Sequence, residues 1–150
     1  MIRKYEKNDL ARIMEIWLSS NIEAHGFIRR EYWQDCFNSA AEAIPMAEVY
    51  TALSDNDNGE IVGFIGLNGG HIEGIFVDGE HRSKGVGKAL IDFAKKLYPK
   101  LSLCVYEKNV RAADFYRREG FLPVRKKTDI STGETEILMR WETKRIPYNL

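Results

Sequence analysis

Two hydrophobic periods divide this chain. A three-and-four spacing recurs at Leu10, Ile13, Met14, Trp17 and Leu18, again at Tyr32, Trp33, Cys36, Phe37 and Ala40, and again at Ala89, Leu90, Phe93, Ala94 and Leu97. Each set gathers its apolar side chains into one stripe, which predicts three amphipathic helices. Asn8 or Asp9 is placed to cap the first, Asn21 and Gly26 interrupt the pattern after it, and Pro45 closes the second. Short β-branched and aromatic runs over 2–6, 49–53, 61–67, 72–77, 101–106, 122–130 and 136–141 predict strands, because turn formers separate them. Asp55-Asn56-Asp57-Asn58-Gly59, Asn68-Gly69-Gly70 and Ser131-Thr132-Gly133 should each reverse the chain into an antiparallel neighbour. The helix after Gly85 is different. It must carry the chain back over the sheet, so the strand at 101–106 should run parallel to the one at 72–77 through a right-handed crossover. A fourth helix follows Asn109 and ends at Gly120, which suits a helix C′ position. The expected fold is α/β in the mixed, α+β sense: a mostly antiparallel sheet of about seven strands with one parallel pair, flanked by about four helices. One domain over 1–143 and a frayed tail over 144–150 are expected.

The stretch from His71 to Leu97 organises the rest. A strand ends at Asp78-Gly79, a helix begins near Gly87, and Arg82-Ser83-Lys84-Gly85-Val86-Gly87-Lys88 lies between them. A glycine-rich turn feeding a helix presents unpaired N–H groups and a positive dipole end, which suit a phosphate. Gly85 and Gly87 let the main chain approach it, and Arg82, Lys84 and Lys88 add charge. A Walker loop would need glycine at Arg82 and a hydroxyl at Ala89, and the dinucleotide fingerprint fails at Leu90. What is left is R-x-x-G-x-G. After the 101–106 strand comes N-x-x-A-x-x-F-Y-x-x-x-G-F, from Asn109 to Phe121.

These two motifs, in this order and with one strand between them, resemble the GNAT (GCN5-related) superfamily of N-acetyltransferases, in its small stand-alone bacterial form. The resemblance implies an acetyl-CoA-dependent enzyme that transfers acetyl to a primary amine, a protein lysine or N-terminus or a small amine, by direct attack in a ternary complex. It implies that the parallel strands splay at their C-terminal ends, near residue 77, and that the pantetheine arm enters the gap. Phe76 and Val77 would then offer main-chain contacts to pantetheine and the acetyl carbonyl, and the loop from Arg82 through Ser83, Lys84, Gly85, Val86 and Gly87 to Lys88 would hold the pyrophosphate. Asn109 would bond the pantetheine arm as well as capping its helix. Tyr116 would protonate the departing thiolate, a feasible transfer because a thiol titrates near ~8.5 and a phenol near ~10. His25, Phe27 and Trp33 would line the acceptor side.

An alkylamine titrates near ~10.4, so it must lose a proton before it attacks. A period of two puts His71, Glu73, Ile75 and Val77 on one strand face, which makes Glu73 and His71 the candidate bases, with His25 a third. Cys104 would be raised and inert among Leu101, Leu103 and Val105, which disfavours an acetyl-cysteine route.

Composition narrows the partners. The chain has 150 residues, with 22 basic side chains against 22 acidic ones, so no global field favours nucleic acid or an anionic membrane. There is no signal-like N-terminus or membrane-length apolar run, so a cytoplasmic enzyme is expected. No His, Asp or Cys spacing implies a metal. The final strand, with Ile137, Leu138, Met139 and Trp141, suits a monomer or a homodimer. A non-catalytic acyl-CoA-binding regulatory module is the alternative.

Overall fold

The computed structural model describes residues 1–56 and 59–144. Its strands are β1 (Ile2–Lys4), β2 (Glu48–Leu53), β3 (Ile61–Asn68), β4 (His71–Val77), β5 (Lys100–Tyr106), β6 (Leu122–Thr128) and β7 (Thr135–Glu142). Its helices are α1 (Leu10–Ala24), α2 (Arg30–Ala43), α3 (Val86–Leu97) and α4 (Val110–Arg118). The strands form a seven-stranded sheet in the order β1-β2-β3-β4-β5-β7-β6. Every neighbouring pair is antiparallel except β4 and β5. This is the mixed sheet, with four helices and one parallel pair, that the periodicity predicts.

Each face of the sheet has its own core. On the back, α3 and α4 bury Leu90, Ile91, Ala94 and Ala113 against Ile65, Leu67, Ile72, Leu101, Leu103 and Met139. On the front, α1 lays Ile13 and Ile16 on Val49, Ile61 and Phe64. Phe76 joins this front cluster and stacks on Phe64 with ring centres 4.9 Å apart. Burying both faces is what fixes the register, since a one-residue slip would turn either set of apolar side chains outward.

Four expectations at the level of elements need correction, the first being the break at Asn21, since α1 runs on through that buried residue to Ala24. Asp9 does not cap α1 through its side chain. Its carboxylate instead takes two bonds from the Arg3 guanidinium, at 2.8 and 3.1 Å, and one from the Glu6 N–H at 2.8 Å. A bidentate cation outcompetes a single cap bond, and it ties β1 to the start of α1. The first strand stops at Lys4 rather than residue 6, and β6 stops at Thr128 rather than 130. Of the expected tail, 145–150 lies outside the described residues.

The most consequential correction concerns β4. Its ladder with β3 slips between Gly66 and Leu67, which face Gly74 and Ile72, so Glu73 is an extra, bulged residue. A bulge reverses the alternation beyond it. Ile75 therefore packs with Ile72 in the back core, and the period-two grouping of His71 and Glu73 with Ile75 and Val77 fails. His71 and Glu73 still share a face, but it is the front face, the one that carries Phe76.

Candidate active site

β4 and β5 pair at only two positions, His71 with Ser102 and Ile72 with Leu103. From Glu73 onward β4 has no neighbour on that side, while β5 continues its ladder with β7 as far as Tyr106. The strands do splay towards their C-terminal ends. The opening begins at Glu73, four residues earlier than Val77, because the bulge bends β4 away from its partner. Along an antiparallel strand, alternate residues point N–H and C=O away from the partner. Every second residue from Glu73 to Val77 thus offers unladdered backbone to the wedge. The Val77 carbonyl is already engaged: Ser20 on α1 donates its hydroxyl to it at 3.3 Å. β3 approaches closely here through Gly63, where a Cβ would stand 2.8 Å from the Phe76 carbonyl oxygen. Gly74 likewise leaves room for the Phe76 ring, which would meet a Cβ there at 2.4 Å.

Beyond β4 the chain makes a turn at Gly79–His81 and then the basic loop. Ser83 and Gly85 both adopt positive φ, 62° and 84°, and Gly85 is the residue from which α3 starts. For Ser83 this backbone is strained, whereas Gly85 adopts it freely. The first amide of this region bonded back into the helix is that of Ala89, to the Gly85 carbonyl at 3.0 Å. The preceding amides lie at the positive end of α3. They and the open β4 edge fit a pyrophosphate and a pantetheine arm respectively.

Two of the loop's three cations have protein partners. Arg82 lies 2.7 Å from Glu23 on α1. Lys88 lies 3.1 Å from Glu119 and 3.6 Å from Asp92, and these carboxylates raise its pKa. Lys84 makes no ion pair among the described residues. Arg111, which the sequence reading passed over, donates to the Ser83 hydroxyl at 3.3 Å and so brings a further cation to the loop. Its spacing from the loop in sequence gave no hint of this.

On the front face, the α1–α2 connection packs against the C-terminal end of β5. His25 ends α1, its N–H bonded to the Asn21 carbonyl. Its ring stacks on Trp33 at 5.1 Å and meets Tyr106 and Phe27 edge-on at 5.2 and 5.7 Å. Tyr32 meets Trp33 edge-on at 4.9 Å. The expected acceptor-side residues His25, Phe27 and Trp33 therefore come together, and Tyr106 on β5 completes the box. Burial lowers the His25 pKa, which keeps the imidazole neutral. Its Nε2 lies 3.4 Å from the Asn109 amide nitrogen and accepts from it, so the proton is assigned to the buried, unpartnered Nδ1. Asn109 also caps α4, its carbonyl oxygen accepting from the Ala112 N–H at 3.3 Å.

His71 is held by Ser102, its Nδ1 2.8 Å from the hydroxyl, at the closed end of the wedge. Glu73 stands at the opening and is exposed. Beside it on β5, the Cys104 thiol is pushed up chiefly by burial, against the pull of Lys127. Tyr106 donates its hydroxyl to Asp129 at 2.5 Å, and burial followed by this bond raises its pKa. Glu136 is raised too, first by burial and then by Asp129. Asp129, Glu136 and Lys127 lie on the β6–β7 hairpin, too far along the chain from the motifs for spacing to reveal them. Tyr116, on α4, packs against Phe115 and Phe121 at 5.4 and 5.9 Å. Burial pushes its phenol up to about 12, and its hydroxyl has no hydrogen-bond partner among the described residues.

Residues 10–121 match the profile of the acetyltransferase (GNAT) family. The chain belongs to that family. Among similar sequences is the peptidyl-lysine N-acetyltransferase YiaC of Escherichia coli, 35% identical over 127 residues, covering 81% of this chain and 82% of that protein. The peptidyl-lysine N-acetyltransferase YjaB of Salmonella typhimurium is 32% identical over 120 residues, covering 80% of this chain and 81% of that one. The apo solution structure of YjaB from Escherichia coli superposes with a TM-score of 0.85 at 26% identity, over 96% of this chain and 98% of that chain. YncA of Salmonella typhimurium, solved with acetyl-CoA, shares the fold at TM-score 0.66 and 17% identity, over 99% of this chain and 96% of that one. This GNAT chain is therefore an acetyltransferase. No helix among its described residues is long and apolar enough to cross a membrane.

Proposed function

We propose that this GNAT enzyme transfers acetyl from acetyl-CoA to the side-chain amine of a lysine in a peptide or protein, by direct attack in a ternary complex. One observation carries the reading: the wedge between β4 and β5 opens at a bulged glutamate on the same sheet face as the aromatic cluster of His25, Trp33 and Tyr106. The names of the relatives point to the same acceptor. When bound, the cofactor supplies an acetyl thioester.

The chain's own residues would do the rest. The amides from Ser83 to Gly87, with Arg82 and Arg111, would hold the pyrophosphate at the start of α3. Lys84 and Lys88 would add to the local positive field, Lys88 least because two carboxylates already share it. The released N–H of Val77 would aim at the acetyl oxygen and stabilise negative charge there, whereas the expected main-chain contact from Phe76 does not fit, because its N–H points to Phe64 on β3. Glu73 would take the proton of the incoming ammonium, directly or through water. His71, fixed by Ser102 one pairing below the opening, is the weaker base candidate. Tyr116, neutral at pH 7, would return a proton to the departing sulfur. The aromatic box would take the aliphatic stem of a lysine, while Asp129 and Glu136 favour its positive head.

The test is release of free thiol from acetyl-CoA with a panel of lysine peptides, α-amino peptides, polyamines and aminoglycosides. Lysine peptides should turn over fastest. Preference for a small amine by an order of magnitude would reject the lysine assignment, and CoA binding with silence on every amine would favour the regulatory module.

A further inference from the structure

Lys127 has no part in the chemistry above, yet its position is unusual. It pairs with Glu136 in the β6–β7 ladder, and Glu136 pairs with Tyr106 in the β7–β5 ladder, so the three form one row across the front face. The neighbouring Lys126 pairs with Ile137, whose side chain is buried in the back core, and Lys126 makes an ion pair with Glu107. Two adjacent, exposed lysines therefore project to opposite sides of the sheet. Lys127 makes no salt bridge among the described residues. Cys104 lies on the same front face two residues before Tyr106, the end of that row, and the Lys127 cation holds its thiol down against burial while Glu136 and Glu73 push it up.

Cys104 is the first residue of β5 past the last parallel pair, Ile72 with Leu103. It therefore marks the point where the wedge opens. Glu73 is the corresponding first residue on β4. An amine beside that thiol stands where an acceptor amine has to be delivered, with a carboxylate across the gap. From this placement we infer that Lys127 is itself an acetyl acceptor, modified in cis, an inference that rests on the proposed transfer from acetyl-CoA. The ammonium gives one proton to Glu73, the nitrogen lone pair forms the C–N bond to the acetyl carbon as the C–S bond breaks, and the second N–H proton ends on the departing sulfur. One ammonium and one thioester yield one amide, one thiol and one proton held by Glu73. Tethering raises the amine's effective concentration far above that of any free peptide. The product is neutral and bulkier, so it removes the cation facing Cys104 and Glu136 and fills part of the acceptor face.

The experiment incubates the full chain with acetyl-CoA and no amine, then maps acetylation by peptide mass spectrometry. Lys127 should be acetylated in a first-order process whose rate does not change with protein concentration, while Lys126, equally exposed but on the far face, lags by about a hundredfold. Glu73→Gln should slow Lys127 by a similar factor, and Lys127→Arg should abolish the main modification. Equal labelling of Lys126 and Lys127, or a rate that rises with protein concentration, would overturn the inference. A lysine peptide included in a parallel reaction separates the two claims. If the peptide is acetylated while Lys127 stays bare, self-acetylation is wrong and the proposed transfer stands; if both stay bare, both are wrong. A second readout needs no cofactor: Lys127→Gln should slow alkylation of Cys104 by iodoacetamide near pH 8, because the thiolate loses a neighbouring cation. An unchanged alkylation rate would remove Lys127 from the thiol and the inference with it.

Discussion

The His71 imidazole and the Ser102 hydroxyl meet at 2.8 Å across the first of the two parallel pairings that join β4 to β5. They clamp the closed end of the wedge, and Glu73, two residues on, is left at its mouth. This separates two roles that a strict period of two would have merged. Glu73→Gln should lower kcat for the amine by about a hundredfold or more, with the Kd for CoA nearly unchanged. Ser102→Ala should lower Tm and leave most of kcat. Steady-state kinetics and calorimetry on both variants check this, and the reverse pattern would make His71 the base.

Arg82 is engaged by Glu23 at 2.7 Å, so a phosphate must compete with a carboxylate for it. Glu23→Gln should therefore tighten CoA binding, while Arg111→Ala should weaken it. Each change is expected to be about 1.4 kcal/mol, roughly tenfold in Kd. Lys88→Ala should have a smaller effect, since Glu119 and Asp92 already hold that ammonium. Titration calorimetry at low salt reads all three.

Tyr116 is pushed up to about 12 by burial, so its phenol stays protonated throughout the usable range. No limb of the kcat profile up to about pH 10 should then belong to it, and Tyr116→Phe should lower kcat by about a hundredfold at every pH without changing the profile's shape. A variant that alters only the alkaline limb would assign Tyr116 a different role.

His25 is held below its ordinary value near ~6.5 by burial, with the Asn21 carbonyl opposing. Its unfolded form therefore binds a proton before its folded form does as pH falls. Stability should drop from about pH 7 down through the window between ~6.5 and the lower folded value, then level off. His25→Phe keeps an aromatic ring in the box and removes the titration, so Tm measured between pH 8 and pH 5 should lose that slope. An unchanged slope would place the titrating group elsewhere.

Asp9 carries a dependence of the same sign in a more acidic window. Its hydrogen bonds from Arg3 hold the carboxyl below the usual range, against the opposing effect of burial. The stability it contributes is present above ~3.9 and is lost as pH falls through the lower folded value. Asp9→Asn should cost roughly 2 kcal/mol, because it leaves the part-buried Arg3 with only the more distant Glu6 carboxylate. Denaturant unfolding at pH 7 measures this.

The local sequence by itself determined the elements and the family. The three-and-four spacing of α3, the glycines of the 82–88 loop and the Asn109–Phe121 motif are local in sequence, and the interactions they encode are local too: helix faces, turns, a cap. Asn109 capping α4 was legible for that reason. Tertiary structure alone decided what lies across the wedge. The bulge at Glu73 arises from how β4 registers on β3, and no residue type announces it. The meeting of His25, Trp33 and Tyr106 depends on α1 and β5 being brought to one face, although some 80 positions separate His25 from Tyr106 in the chain. Alternation alone sends Lys126 and Lys127 to opposite sides, but only their ladder partners decide which of them shares the face of Tyr106. Side-chain direction on a strand is set by pairing with distant chain, so it becomes readable only once those pairings exist.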